Sequence, residues 1–305
     1  MSGEAAALHG WLVIDKPAGM TSNRVVTLVR RSTGAKVGHA GTLDPLATGV
    51  LPVALGEATK TVAFAMAGRK TYRFRIRWGE ARATEDAEGE VVAESPVRPG
   101  RDAITAALPG FTGRIRQVPP AYSALKFQGQ RAYRLARADS PPQLPPREVE
   151  IAALRLVALT DADHADFEAE VGKGTYIRAL ARDLAAALGT VGHVAMLRRL
   201  TVGRFIETQA ISLDSVAEHR HSLAASGLLF PLETALADIP ALALTEEEAA
   251  RMRHGQAVTP DDPGRRTQIE GLDDGAVVAA REGAALVALA RIENGRLRPV
   301  RVINR

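Results

Sequence analysis

The sequence predicts a mixed α/β chain of the α+β kind that ends in a small strand-rich domain. Three patterns carry this. Residues 70–78 (KTYRFRIRW) alternate strictly between apolar and basic, as a half-buried strand does. Val25, Val26, Leu28 and Val29, and again Ile177, Leu180, Leu184 and Leu188, recur at helical spacing. From about 257 onward, short apolar runs are joined by Asp-Gly, Glu-Gly and Asn-Gly turns.

Taken in order, GWLVID (10–15) reads as a buried strand ended by the Lys16-Pro17-Ala18-Gly19 turn. Thr21-Ser22-Asn23 can cap the helix that follows, with Arg30 and Arg31 near its end. Residues 34–49 are Gly-rich and read as a long structured loop. Residues 50–55 read as an edge or bulged strand, because Pro52 has no amide to donate. Residues 59–67 read as helical. The strand at 70–78 points Tyr72, Phe74, Ile76 and Trp78 one way and Arg73, Arg75 and Arg77 the other. A strand at 90–93 follows the charged turn 84–89, and a short helix covers 101–108. Six prolines frame residues 117–150, which read as an irregular insertion or lid. Paired strands occupy 148–159 and 165–171, and a helix from Thr175 stops at Gly189. Thr245 with Glu248 forms a capping-box pattern. The division expected is 1–241 for the large domain, with the insertion at about 118–148, and 242–305 for the small one.

Composition narrows the chemistry. The 305 residues are 46% hydrophobic, enough for a substantial core. No cysteine is present, which excludes disulfides, thiolate metal sites and thiol nucleophiles. No secretory signal or membrane span is evident, so the cytoplasm is expected. Net charge is only +4, but it is unevenly spread. Residues 1–80 hold 11 Lys/Arg against 5 Asp/Glu, and 114–137 hold six basic residues and no acid. Such segregation either forms a positive face for a polyanion or is ordinary solvated surface.

Several signatures fail. Gly68-Arg69-Lys70-Thr71 lacks the rest of a phosphate-binding loop, and Gly172-Lys173-Gly174 lacks the third glycine of a dinucleotide fingerprint. Neither H-E-x-x-H nor G-x-S-x-G occurs. No metal and no cofactor is expected.

The densest candidate is the run 38–49, where Asp44 sits on a Gly-rich loop between Leu43 and Pro45-Leu46. Asp44 is either a turn residue capping an amide or a reactive carboxylate; a lone Asp does not identify a reaction. Arg178, in the first turn of a helix, is poorly placed for the dipole. It either pairs with a carboxylate such as Asp44, ionising and aiming it, or binds phosphate, or is plain surface charge. Tyr72 and Tyr176 read as core aromatics with a hydroxyl at the rim, or as site residues. His39 can stack on a base, and Lys16 can contact phosphate or support the loop.

Six runs in order, DKPAGMTS (15–22), GHAGTLDPLATG (38–49), KTYRFRIRWG (70–79), VPPAYSALKFQGQRAY (118–133), GKGTYIRALARDLA (172–185) and HVAMLRRLTVGRF (193–205), resemble the TruB family of bacterial tRNA pseudouridine-55 synthases. The tail resembles the small PUA domain attached to that family. The resemblance implies a mixed, mostly antiparallel sheet crossed by an active-site cleft. It implies that Asp44 is the catalytic aspartate and Arg178 its salt-bridge partner. Tyr72 would stack on the flipped base and assist proton transfer. It also implies substrate contacts for His39, Lys16, Tyr176 and Leu200, and an insertion that grips the RNA arm. Arg69, Lys126 and Lys173 would meet backbone phosphates. The implied partner is the T-arm of tRNA, with the tail reaching the acceptor stem. A monomer that uses no cofactor is implied as well. A non-catalytic RNA-binding module would explain the basic segments but not the set Asp44, Tyr72 and Arg178. A synthase acting on another RNA is the third reading.

Overall fold

The computed structural model describes residues 8–123, 125–127, 130–131, 142, 144–260 and 262–304. Much of the insertion expected at 118–148 therefore lies outside the described residues.

Its large sheet runs in the order β1 (Gly10–Lys16), β3 (Thr48–Leu55), β12 (Gly192–Val202), β4 (Lys70–Trp78), β11 (His164–Val171), β10 (Arg147–Leu159), β7 (Gly113–Gln117). β2 (Val37–His39) pairs with β3, and β13 (Phe205–Ile206) with β12. Every pairing is antiparallel except the short β3–β12 contact at Arg198↔Thr48 and Arg199↔Gly49. The sheet is thus mixed and mostly antiparallel, as expected.

The apolar runs of β1 and β3 are continuous because both faces are covered. Leu12, Ile14, Leu51, Val53 and Leu55 pack with helix α1 (Ser22–Thr33) and helix α4 (Ile177–Ala187). Trp11, Val13, Val50 and Ala54 pack on the opposite side with Phe205, Leu232 and Leu236. β3 is an internal strand, which corrects the edge or bulged assignment. Pro52 is tolerated there because it faces Val13 in a pair that exchanges no ladder bonds. The Val13 carbonyl accepts from Ile211, and the Pro52 carbonyl accepts from Ala40 on the far side.

At β4 the sheet is covered on one side only. Phe74, Ile76 and Trp78 are buried. Phe74 stacks on Phe167 at 5.5 Å, and Trp78 meets the edge of Phe167 at 6.2 Å, contacts worth about 0.5–1.5 kcal/mol each beyond burial. The arginine row on the other side does not stand free. β11 sets Asp166 opposite Arg75 and Glu168 opposite Arg73. Arg75 grips Asp166 with two bonds of 2.6 and 3.0 Å, and Arg73 lies 3.3 Å from Glu168. Arg69 reaches Glu150 at 2.8 Å and Glu170 at 3.2 Å. The strict alternation at 165–171 placed these acids on the same face; a phosphate would have to displace them.

The two helices flanking the site start in different ways, one from a local cap and one from a distant side chain. Thr21 caps α1 by accepting from the Arg24 amide, and Gly34 closes it in the left-handed region. α4 begins after Tyr176 without a side-chain cap. Instead Gln117, fully buried, receives the Tyr176 amide at 2.8 Å and donates to its carbonyl at 3.1 Å. No sequence pattern marks an element at 192–202, yet β12 is a central strand.

The C-terminal segment builds a second sheet, β14 (Ala241–Ala243), β15 (Val277–Glu282), β16 (Ala285–Glu293) and β17 (Arg296–Val302), in that order. It also carries two helices, α6 (Glu246–Arg253) and α7 (Pro263–Glu270), the first of them where the Thr245–Glu248 pattern predicts a helix start. The capping box of Thr245 and Glu248 is formed at 3.2 and 2.8 Å. This sheet docks on the large one. Ala279, Leu286, Leu289 and Ile303 share a cluster with Trp11 and Val13, and Lys60 donates to the Val302 carbonyl at 2.8 Å.

Candidate active site

The loop between β2 and β3 is fixed from three sides before Asp44 is presented. Ser22, at the start of α1, receives the Leu43 amide at 2.9 Å and donates to the Leu43 carbonyl at 3.1 Å. Lys16, wholly buried, donates to the carbonyls of Pro17, Met20 and Pro45 at 2.8, 2.6 and 3.1 Å. Arg199, also buried, donates to Val50 at 2.8 Å and to Gly41 at 2.9 Å, spanning the loop's two ends. Gly49 has a φ of 96°, and a Cβ there would strike the Arg199 carbonyl, so glycine is required where β3 meets β12. Lys16 therefore supports the loop. Desolvation lowers its pKa to about 8, although Asp44 and Glu88 oppose the shift.

Asp44 does not use its side chain as a turn cap. Its backbone carbonyl receives the Ala47 amide at 3.0 Å, and the carboxylate is 35% exposed. Arg178 comes from the first turn of α4 and is 5% exposed. Its Nε lies 2.9 Å from Asp44 Oδ2. That contact is a close ion pair whose angle departs from a directed hydrogen bond. The rest of the guanidinium is committed elsewhere: Nη1 to the Thr84 carbonyl at 2.8 Å, Nη2 to the Tyr122 carbonyl at 2.9 Å. The fork is rigidly seated while Asp44 keeps lone pairs uncommitted.

A second carboxylate stands behind the first. Asp86 is 2% exposed and lies 3.6 Å from Arg178 Nη1. It is held by the Thr84 hydroxyl at 2.5 Å and the Glu88 amide at 3.1 Å. Burial, and then the like charges of Asp86 and Asp44, raise the pKa of Glu88. In the sequence, 84–89 reads only as a charged turn, and nothing local distinguishes Asp86 from a solvated loop acid. Arg182, four residues after Arg178, was equally overlooked, though its spacing puts it on the same helix face.

Tyr72 joins Leu43, Leu46 and Ile177 around one apolar cluster, so its ring shares the sheet face that carries Asp44's loop and α4. Leu200 is the extra residue of a bulge in β12, where the register jumps from Arg199↔Tyr72 to Thr201↔Thr71. Tyr176 lies under the Arg147 guanidinium at 5.0 Å. Lys173 is exposed at the turn before α4. Lys126 lies in a two-residue strand with Phe127, and its side chain is outside the described residues.

His39 ends β2 half-buried, and burial with nearby Arg199 lowers its pKa. His193, 2% exposed with Nδ1 2.9 Å from the Glu80 carbonyl, is lowered chiefly by burial. Both favour the neutral ring in the folded chain. Below their ordinary value of 6.5 the unfolded chain takes up these protons first, so stability is full above that pH and falls as pH drops through it. Melting temperatures between pH 7 and 5.5 should fall less steeply in His193→Gln than in the parent; equal slopes would remove His193 from the explanation.

Residues 29–177 match the model of the TruB family pseudouridylate synthase N-terminal domain, and 178–237 match the tRNA pseudouridylate synthase B C-terminal domain. The tRNA pseudouridine synthase B of Rhodospirillum rubrum is 54% identical over 299 residues, covering 98% of this chain and 97% of that protein. That of Gluconacetobacter diazotrophicus is also 54% identical over 299 residues, covering 97% of each. Among solved structures, a Cbf5-Nop10-Gar1 complex contains a chain that superposes with a TM-score of 0.74 at 24% identity. The match covers 97% of this chain and 85% of that one, a likeness of fold. With its Asp44–Arg178 pair on a mixed, mostly antiparallel sheet, the chain belongs to the TruB family of pseudouridylate synthases.

Proposed function

We propose that this enzyme converts a uridine in the T-loop of cytoplasmic tRNA, position 55, to pseudouridine, with Asp44 acting on the ribose. The observation that carries the reading is the half-open Asp44 carboxylate, set 2.9 Å from a buried guanidinium and beside the apolar cluster that includes Tyr72. The relatives' names supply tRNA as the substrate class.

A stacked uridine cannot reach this carboxylate, so the nucleotide swings out of its loop. Asp44 then acts at the sugar by one of two routes. It attacks C1′ and displaces uracil as its N1 anion, or it removes the C2′ proton to give a glycal. In both routes the N1–C1′ bond breaks, the uracil turns, and C5 bonds to C1′, expelling the Asp44 carboxylate in the first route and returning the proton to C2′ in the second. The C5 proton is lost and N1 gains one, so no oxidant or reductant is consumed. Tyr72 stacks on the turning ring and relays a proton at the sugar. Arg178 fixes the direction of Asp44 throughout.

Residues 1–241 form the catalytic part in this reading, and 242–305 a PUA-like part that grips the RNA. In this reading Lys173, Lys126, Tyr176, Leu200 and His39 contact the RNA, Arg69 does so by exchanging Glu150 and Glu170 for phosphate, and Lys16 acts through the loop. The RNA contacts of the basic side chains make binding salt-dependent without reading sequence. Mapping pseudouridines in total RNA from cells with and without the gene tests the substrate. One T-loop site per tRNA should disappear; an intact T-loop, with losses only in other RNAs, would assign the enzyme elsewhere.

A further inference from the structure

Arg178 and Arg182 lie one turn apart on α4 and engage the same two segments. Arg178 holds the Thr84 and Tyr122 carbonyls. Arg182 binds Glu85 Oε1 at 2.5 Å and the Val118 carbonyl at 2.9 Å, and braces its Nε on Asp183 at 2.8 Å. Each guanidinium thus ties the 84–88 turn to the stretch that leads into the insertion.

Glu85 is an unusual residue on which to anchor. Its φ is 62°, in the left-handed region that a residue with a long side chain rarely adopts. Its backbone is fixed on both sides: its amide donates to Arg82 at 2.9 Å, and its carbonyl accepts from Val194 at 3.1 Å. Its carboxylate is mostly buried, and burial pushes its pKa up against the opposing charge of Arg182. A strained, buried acid persists only where the surroundings determine it, and Arg182 is the partner that does so. The next residue is Asp86, whose carboxylate stands behind the Asp44–Arg178 pair.

We infer that Arg182 is a positioning residue of the reaction: through Glu85 it sets the conformation of the 84–88 turn, and through Val118 it ties that turn to the base of the RNA-gripping insertion. Arg182 does not touch the reacting atoms. It acts on Asp86, and through Asp86 on the aim of Arg178 and Asp44. This rests on the function proposed above. A turn displaced by about an ångström would cost up to roughly 100-fold in the chemical step without removing any RNA contact.

The test uses the full-length enzyme and unmodified tRNA transcript under single-turnover conditions, with tRNA affinity and melting temperature measured in parallel. Arg182→Met should lower the single-turnover rate by about 10- to 100-fold while affinity changes by less than about threefold. Arg182→Lys, which can reach Glu85 but cannot also fork to Val118, should recover part of the rate. Glu85→Gln should lower the rate in the same direction, and it carries the test if Arg182→Met does not fold. The double variant should be no slower than Arg182→Met alone, because the two side chains act as one unit. A rate within about twofold of wild type, or a loss confined to tRNA affinity, would overturn the inference. Inactivity of the wild-type enzyme on tRNA would instead strike the function on which it rests.

Discussion

Replacing Asp44 with Asn removes pseudouridine formation, with turnover falling on the order of 10⁴-fold or more, while the fold and tRNA binding persist. The substitution keeps shape and volume and deletes one charge. Arg178 loses its 2.9 Å partner but retains Asp86 and the carbonyls of Thr84 and Tyr122, so the start of α4 stays in place. The loop itself is held by Ser22, Lys16 and Arg199, none of which bonds to the Asp44 carboxylate. What disappears is the anionic oxygen that meets the ribose in the proposed mechanism. Nucleoside analysis of tRNA after incubation, alongside filter binding and a melting curve, separates these effects. A variant that is inactive because it has unfolded would show itself in the third measurement.

Arg178 carries the second large effect, and it falls on stability as well as on chemistry. In Arg178→Met, Asp86 remains buried at 2% exposure with a hydroxyl and one amide as its remaining described donors. Removing one partner of a buried charge pair costs about 3–5 kcal/mol, so the urea midpoint should fall sharply. Arg178→Lys keeps the charge, yet one ammonium cannot span Asp44, Asp86 and two carbonyls. That variant should stay folded and lose about 100-fold in turnover. A folded Arg178→Lys enzyme with near-normal turnover would show that charge alone, without the fork, suffices to hold Asp44.

Much of this architecture was legible in the residues, because periodicity reports burial directly. Strict alternation at 70–78 matched a one-sided strand, and the helical spacing from Ile177 matched α4. Asp44 stands out as a single acid on a Gly-rich loop, and the motif around it implies the role proposed for it. Pro52 misled, since a proline can occupy an internal strand where its pair with the neighbouring strand exchanges no bonds. β12 left no clean alternation because bulges near Ala195 and Leu200 shift its register twice. Asp86, Glu85 and Arg182 were opaque for a different reason. Their significance comes from contacts between segments about 94 to 97 residues apart along the chain, and no local pattern encodes which acid a guanidinium will reach. The arginine ladder taught the opposite lesson. On its own strand it is only a row of basic side chains on one face, whereas β11 supplies a matching row of acids.

Tritium release from C5-labelled uridine in tRNA, with enzyme in excess over a single turnover, addresses the chemistry without interference from product release. The native protein should release tritium rapidly and stoichiometrically, and the Asp44→Asn form none above background even after hours with fully bound RNA. Release by that variant at a rate comparable to the parent would contradict the role of Asp44, and the reacting group would have to be sought elsewhere in the cleft.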